Sequence, residues 1–282
     1  MNILENTRTN YKRWADKKLQ GFSNKLDDLI VEINNPNSVS KSEKNIILKT
    51  INQHNIVFFQ INKGTINLKS SIKTLASQIG LGNYEIDSKS DNDGLTEIKI
   101  HNSMKPSAEY IPYTDKQLNW HTDGYYNNEN NLILSWLLFC KSQSENGGMN
   151  KYMDHEIAYI LFNKSFDNIG DLMLHNAYRI PENELTGRKA IDNAIFSFIK
   201  NKLHMKFSMR EKNIIWNDKS KAATNNLKDI INSSEKYHIS HKFSEGQGVI
   251  TNNIIHMRTS FTNLEKKNRL LYRLRSKKRM ET

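Results

Sequence analysis

Apolar residues from Leu26 to Ile33 recur at helical spacing, and Asn34-Asn35-Pro36-Asn37 closes the run. The same period predicts helices over Glu43 to Gln53 and over Asn67 to Ile79, the second ending at Gly80 in the usual C-terminal glycine position. Between them, Ile56 to Ile61 reads as a strand. From Thr96 onward strands dominate. Thr96 to Ile100 alternates, and Leu132 to Cys140 is an unbroken apolar run suited to a strand buried on both faces. Ala194 to Ile199 and Leu203 to Ser208 flank Lys200-Asn201-Lys202 as a hairpin. His238 to Phe243 and Val249 to Thr251 are short strands around the turn Gly246-Gln247-Gly248, and Leu270 to Arg275 is the last. Helical insertions interrupt the set around Glu156 to His175 and Ser220 to Asn232.

Short strands separated by turns predict a mainly β fold with flanking helices, a β-sandwich or jelly roll. A length of 282 residues fits one large domain or two small ones. No repeat or low-complexity linker divides the chain, so one domain over 1–282 is expected. It comprises a mixed helix and strand part (1–95), a strand-rich core with helical insertions (96–275) and a basic tail (276–282).

Composition narrows this little. Apolar residues make up 37% of the chain, enough for a core; mean hydropathy is −0.70, so the surface is very polar. No run of about 18 apolar residues exists, and Met1 to Asn10 lacks the apolar segment of a secretory signal. Cys140 is the single cysteine, which suits a reducing, cytoplasmic setting. The formal charge of +11 permits nucleic acid or an anionic surface as partner. The lysines are dispersed, however, and the one local basic cluster is Arg273 to Arg279. The charge therefore implies a modest pull on small anions, with nucleic acid not expected, no membrane partner, and a homo-oligomer left open.

The candidate chemistry sits at Asn119-Trp120-His121-Thr122-Asp123-Gly124. In extended backbone, residues i and i+2 project to one side, so His121 and Asp123 can offer a nitrogen and an oxygen to one ion. A second imidazole completes the two-His, one-carboxylate triad of non-haem iron oxygenases, which leaves three positions open. The bland alternative is a His and an Asp bonded to each other at a turn. The distal half, Gly246 to Asn253 leading to His256, Arg258, Arg269 and Arg273, raises the metal reading.

Together these segments resemble the taurine dioxygenase superfamily, particularly its γ-butyrobetaine hydroxylase-like branch. His121-Thr122-Asp123 is followed by Leu137-Leu138-Phe139-Cys140, then Gly147-Gly148 and Asp154; Arg269 lies thirteen residues after His256 and Arg273 four further on. The likeness spans roughly Ile56 to Arg275. Met257 stands where Gly is frequent, and Asn150 where relatives often carry Thr or Ser.

The resemblance implies a double-stranded β-helix, Fe(II) held by His121, Asp123 and His256, and 2-oxoglutarate and O2 as cosubstrates. Arg269 would grip the far carboxylate, because a planar two-pronged cation matches it. Arg273 would serve the near carboxylate or an anionic substrate, and Asn150 would lie near the cosubstrate. Keeping Asp123 disfavours halogenation and makes hydroxylation, with release of succinate and CO2, the default outcome; desaturation and cyclisation stay open. Tyr125, Tyr126 and Arg258 are candidate substrate contacts, the tyrosines by cation–π attraction to a quaternary ammonium or, equally, as packing residues. Trp120 is expected to pack beside the ligands. His101, His155, His175, His204, His238 and His241 lack partners at ligand spacing, and Arg210 and Trp216 receive no role. The expected substrate is a small zwitterionic or carboxylated metabolite. The rival readings are the same chemistry on a macromolecule such as nucleic acid, or a catalytically silent metal-binding relative.

Overall fold

The computed structural model describes residues 8–61, 68–86, 90–100, 111–184, 187–210, 212–263 and 268–281. The unbroken apolar run forms the strand Ser135–Ser142, whose side chains alternate between two apolar environments. Trp136, Leu138 and Cys140 point inward with Phe58, Leu271 and Tyr152. Leu137 and Phe139 point outward against Ile47, Ile51, Ile72 and Leu75 of the helices Lys41–His54 and Leu68–Gln78.

That strand lies within a six-stranded major sheet. The order is Ile30–Ile33, Ile56–Ile61, Gln247–Thr251, Ser135–Ser142, Leu270–Ser276 and Leu95–Ile98. Only the first pair is parallel. An antiparallel minor sheet, ordered Ile239–His241, Asn150–Met153, Ile255–Arg258 and Leu118–His121, supplies the other wall. Its outer face carries Trp120, Met153 and Ile255, which pack with Ile157, Phe162, Leu227 and Ile231 of the helices His155–Ser165 and Asp218–Ser233. The chain is thus strand-rich, with helices on the outer faces of both sheets.

One expectation is corrected. Leu26 to Ile33 is a 3-10 turn, Leu26–Asp28, followed by the strand Ile30–Ile33. The β-branched Ile30, Val31 and Ile33 pair with Ile56–Ile61, and that burial overrides the local helical spacing. Within the basic segment 276–282, as far as it is described, Met280 is 2% exposed. Arg279 donates to Asn55 Oδ1 at 2.8 Å. The helix Arg8–Gln20, which the pattern did not predict, docks through Lys18, whose Nζ lies 2.6 Å from both Asp154 and Glu156. The other predicted elements occur within a few residues of expectation, Asn67 lying outside the described residues. Lys41–His54 starts at a capping box between Ser40 and Glu43.

Candidate metal centre

His121 ends the strand Leu118–His121, and Asp123 lies two residues on, just beyond it. His256 is paired directly across from His121. Between His256 and Arg258 the register slips, so three residues (His256 to Arg258) face four (Leu118 to His121). The bulge lets Leu118 and His121 both line one cavity despite their odd offset, while Trp120 turns into the helical core. This cavity between the sheets also holds Asp123, Trp136 and His256.

The donor atoms of His121, Asp123 and His256 lie within 4.8 Å of one another. His121 Nε2 is 3.7 Å and His256 Nε2 3.8 Å from the same oxygen, Asp123 Oδ1. Each imidazole meets a backbone carbonyl at Nδ1, Asn119 at 2.8 Å and Ile254 at 3.0 Å. A carbonyl only accepts, so Nδ1 carries the proton and Nε2 presents its lone pair to the centre. Burial, then the neighbouring His121, pushes His256 down to about 3, and burial lowers His121 as well. Both rings are therefore neutral, the form that binds metal. Burial pushes the Asp123 carboxyl up, but Arg273, Arg275 and the two imidazoles together outweigh it and hold the group well below the usual range. Among the described residues no other trio of His, Cys, Asp or Glu converges in this way. Neutral nitrogens, an ionised oxygen and fixed tautomers fit a divalent ion.

At one end of the cavity Arg269 is 5% exposed, its guanidinium 4.9 Å from the Phe261 ring centre. No carboxylate of the described residues offsets its charge, and burial pushes it down to about 10. A buried ion without a counter-ion costs several kcal/mol, so this end of the cavity is suited to an anion. Asn150 is beside it, one amide hydrogen given to Gly148 O at 3.2 Å. Gly147 (φ 65°) makes the preceding turn; a Cβ there would stand 2.1 Å from Ser260 O.

Arg273 donates to Asp123 Oδ2 at 3.3 Å, leaving Oδ1 for the imidazoles. Arg258 lies in the same cavity, paired across the sheet with Asn150. Its guanidinium donates to the carbonyls of Pro112, Thr114 and Lys116. Tyr125 and Tyr126 do not line the cavity as described. The Tyr125 carbonyl accepts from Tyr178 Oη at 2.7 Å, and the Tyr126 hydroxyl accepts from Arg275 at 3.0 Å.

His155, His238 and His241 are engaged with Leu203 O, Ile231 O and Gln247 Oε1. His204 is buried, His175 is exposed, and His101 lies outside the described residues. Two neighbours of the triad went unrecognised in the sequence. Asn253 (φ 53°) receives hydrogen bonds from Asp123 N and Trp136 Nε1 and donates to the carbonyls of Asp123 and Ile133. Tyr152 turns its ring toward His256, with centroids 6.4 Å apart. Its place on the His256 side of a strand could have been read from alternation, had Asn150–Met153 been recognised as a strand.

No family model and no curated protein matches the sequence. Solved structures do match the fold. A taurine dioxygenase from Burkholderia xenovorans aligns over 88% of this chain and 87% of its own at a TM-score of 0.58 and 14% identity. The non-heme iron oxygenase OrfP, in complex with Fe and alpha-ketoglutaric acid, aligns over 96% and 92% at 0.63 and 13%. An asparagine oxygenase, in complex with Fe(II), 2S,3S-3-hydroxyasparagine and succinate, aligns over 96% and 92% at 0.60 and 11%.

Proposed function

We propose that this chain, sharing the fold of these oxygenases, is an Fe(II)- and 2-oxoglutarate-dependent dioxygenase that hydroxylates a small carboxylated or amino-acid-like metabolite. The carrying observation is a buried His121–Asp123–His256 trio, tautomers set for metal, in one cavity with the buried cation Arg269, which no carboxylate of the described residues offsets. The two sheets would form the walls of a double-stranded β-helix within one domain.

Bound iron would supply the activation of O2, coupled to decarboxylation of 2-oxoglutarate to succinate. The chain's own residues do the rest. His121, Asp123 and His256 hold the ion, and Arg273 keeps Asp123 ionised and oriented. Arg269 anchors the far carboxylate of the cosubstrate, with Asn150 beside it. Arg258 holds the 112–116 segment against the cavity through its three carbonyls. Trp136, its ring 4.7 Å from that of His256, walls off water.

Support for the substrate class is of two kinds. The structures of related fold hold hydroxyasparagine in one case and (3S)-hydroxy-L-Arg in another. The three arginines of the basic cluster are turned inward, Arg273 to Asp123, Arg275 to Glu85 and Arg279 to Asn55. A cation–π clamp by Tyr125 and Tyr126 loses its support, which shifts the expectation from betaines toward carboxylates and amino acids. The test is succinate release with Fe(II), 2-oxoglutarate and O2 over a panel of amino acids, betaines, sulfonates and oligonucleotides. Stimulation by an amino acid supports the proposal; stimulation by oligonucleotides alone overturns the substrate class.

A further inference from the structure

Three buried polar atoms without a hydrogen-bond partner among the described residues belong to side chains that line the triad cavity: Tyr152 Oη, Arg258 Nε and Arg273 Nε. Tyr152 is the most informative, because its hydroxyl is the only polar atom of its side chain. The residue is 1% exposed, and its ring packs among those of Phe58, Trp136 and His256. Buried hydroxyls are normally satisfied, so an orphan marks strain, an absent ligand or a functional role. Here the surroundings select the ligand. Tyr152 shares a strand face with Asn150, two residues away, and the Arg269 guanidinium is close enough to act on its hydroxyl electrostatically. A phenol is protonated at neutral pH and can donate.

We propose that Tyr152 donates a hydrogen bond to the carboxylate that Arg269 grips, making it a cosubstrate-binding residue that discriminates for 2-oxo acids with a distal carboxylate. The inference rests on the proposed function and deepens it. Arg269 supplies charge, and Tyr152 supplies a neutral donor from the His256 side of the cavity. A phenylalanine would fill the same volume and leave the carboxylate one donor short.

Tyr152→Phe separates this role from a structural one through opposite signs. Removing an orphan hydroxyl without changing shape leaves the ligand-free protein as stable as wild type or more so. Loss of a donor to an ionised carboxylate weakens binding by roughly tenfold or more. The experiment is calorimetric titration of the zinc-loaded protein with 2-oxoglutarate and, separately, with pyruvate, beside thermal melts of both ligand-free proteins. The expected result is a tenfold weaker 2-oxoglutarate affinity, unchanged pyruvate binding and an undiminished melting temperature. Unchanged 2-oxoglutarate affinity, or an equal loss for pyruvate, overturns the role of Tyr152. If wild-type protein takes up zinc yet binds no 2-oxoglutarate, the proposed function itself fails, and this inference with it.

Discussion

Arg273 Nη1 stands 3.3 Å from Asp123 Oδ2, while Asp123 Oδ1 faces the imidazoles of His121 and His256 at 3.7 and 3.8 Å. The two oxygens of one carboxylate are thus divided between a guanidinium and the metal position. Arg273 therefore acts on the triad as well as on any anion bound beside it. Arg273→Gln is expected to weaken divalent-metal binding roughly tenfold, about the worth of one charge-assisted hydrogen bond. Chelator competition measures this; a variant with unaltered metal affinity would confine Arg273 to ligand binding.

Arg269 has the simpler task. Arg269→Ala should reduce 2-oxoglutarate affinity by about a hundredfold or more, and Arg269→Lys should restore only part of it, since an ammonium lacks the planar fork. Metal affinity should hold in both. An unchanged Michaelis constant for 2-oxoglutarate would move the anchor elsewhere.

The legible part of this protein was its chemistry. Arg269, thirteen residues after His256, was visible only through the family resemblance, whereas His121 and Asp123 at i and i+2 were visible because ligand spacing along extended backbone is a local property. Asn253 was invisible for the opposite reason. Its four hydrogen bonds reach partners 117 to 130 residues away in sequence. Tyr125 and Tyr126 follow the ligands closely in sequence yet lie outside the cavity lining, because proximity in sequence does not say which way a side chain turns; Arg258 does line it. In the fold, Ile30–Ile33 departs from the helical expectation because long-range pairing with Ile56–Ile61 decides what local period does not.

Asn253→Ala should expose how much that amide contributes. It leaves the backbone N–H and C=O of Asp123, the Ile133 carbonyl and the Trp136 indole N–H without their partner, and it places alanine at φ 53°. A loss of about 2–4 kcal/mol is expected in denaturant melts, together with weaker metal binding. Wild-type stability would show that these bonds are replaced by water.

Lys206 gives a pH signature. It is 5% exposed, its ammonium bonded to Asn193 Oδ1, and burial pushes it down to about 8. A lysine whose folded pKa lies below its unfolded one destabilises the protein wherever the ammonium persists, below about 8, and the cost fades as pH rises toward the unfolded value of 10.5. Lys206→Met should accordingly be more stable than wild type by about 1–2 kcal/mol at pH 7, with the gap closing above pH 9. A gap that widened with pH would contradict the assignment.

Anaerobic titration of the metal-free protein with Fe(II), in the presence of 2-oxoglutarate, bears on the whole reading at once. Chelation of iron by the 2-oxo acid gives a visible charge-transfer absorption, which reports both ligands on one ion. Wild-type protein should develop this band to a sharp endpoint at one iron per chain. His121→Ala and His256→Ala should not develop it while keeping the wild-type circular dichroism, and Arg269→Ala should need far more 2-oxoglutarate to reach it. A full band in His121→Ala or His256→Ala, or none in the wild type at saturating iron and 2-oxoglutarate, would contradict the proposed centre.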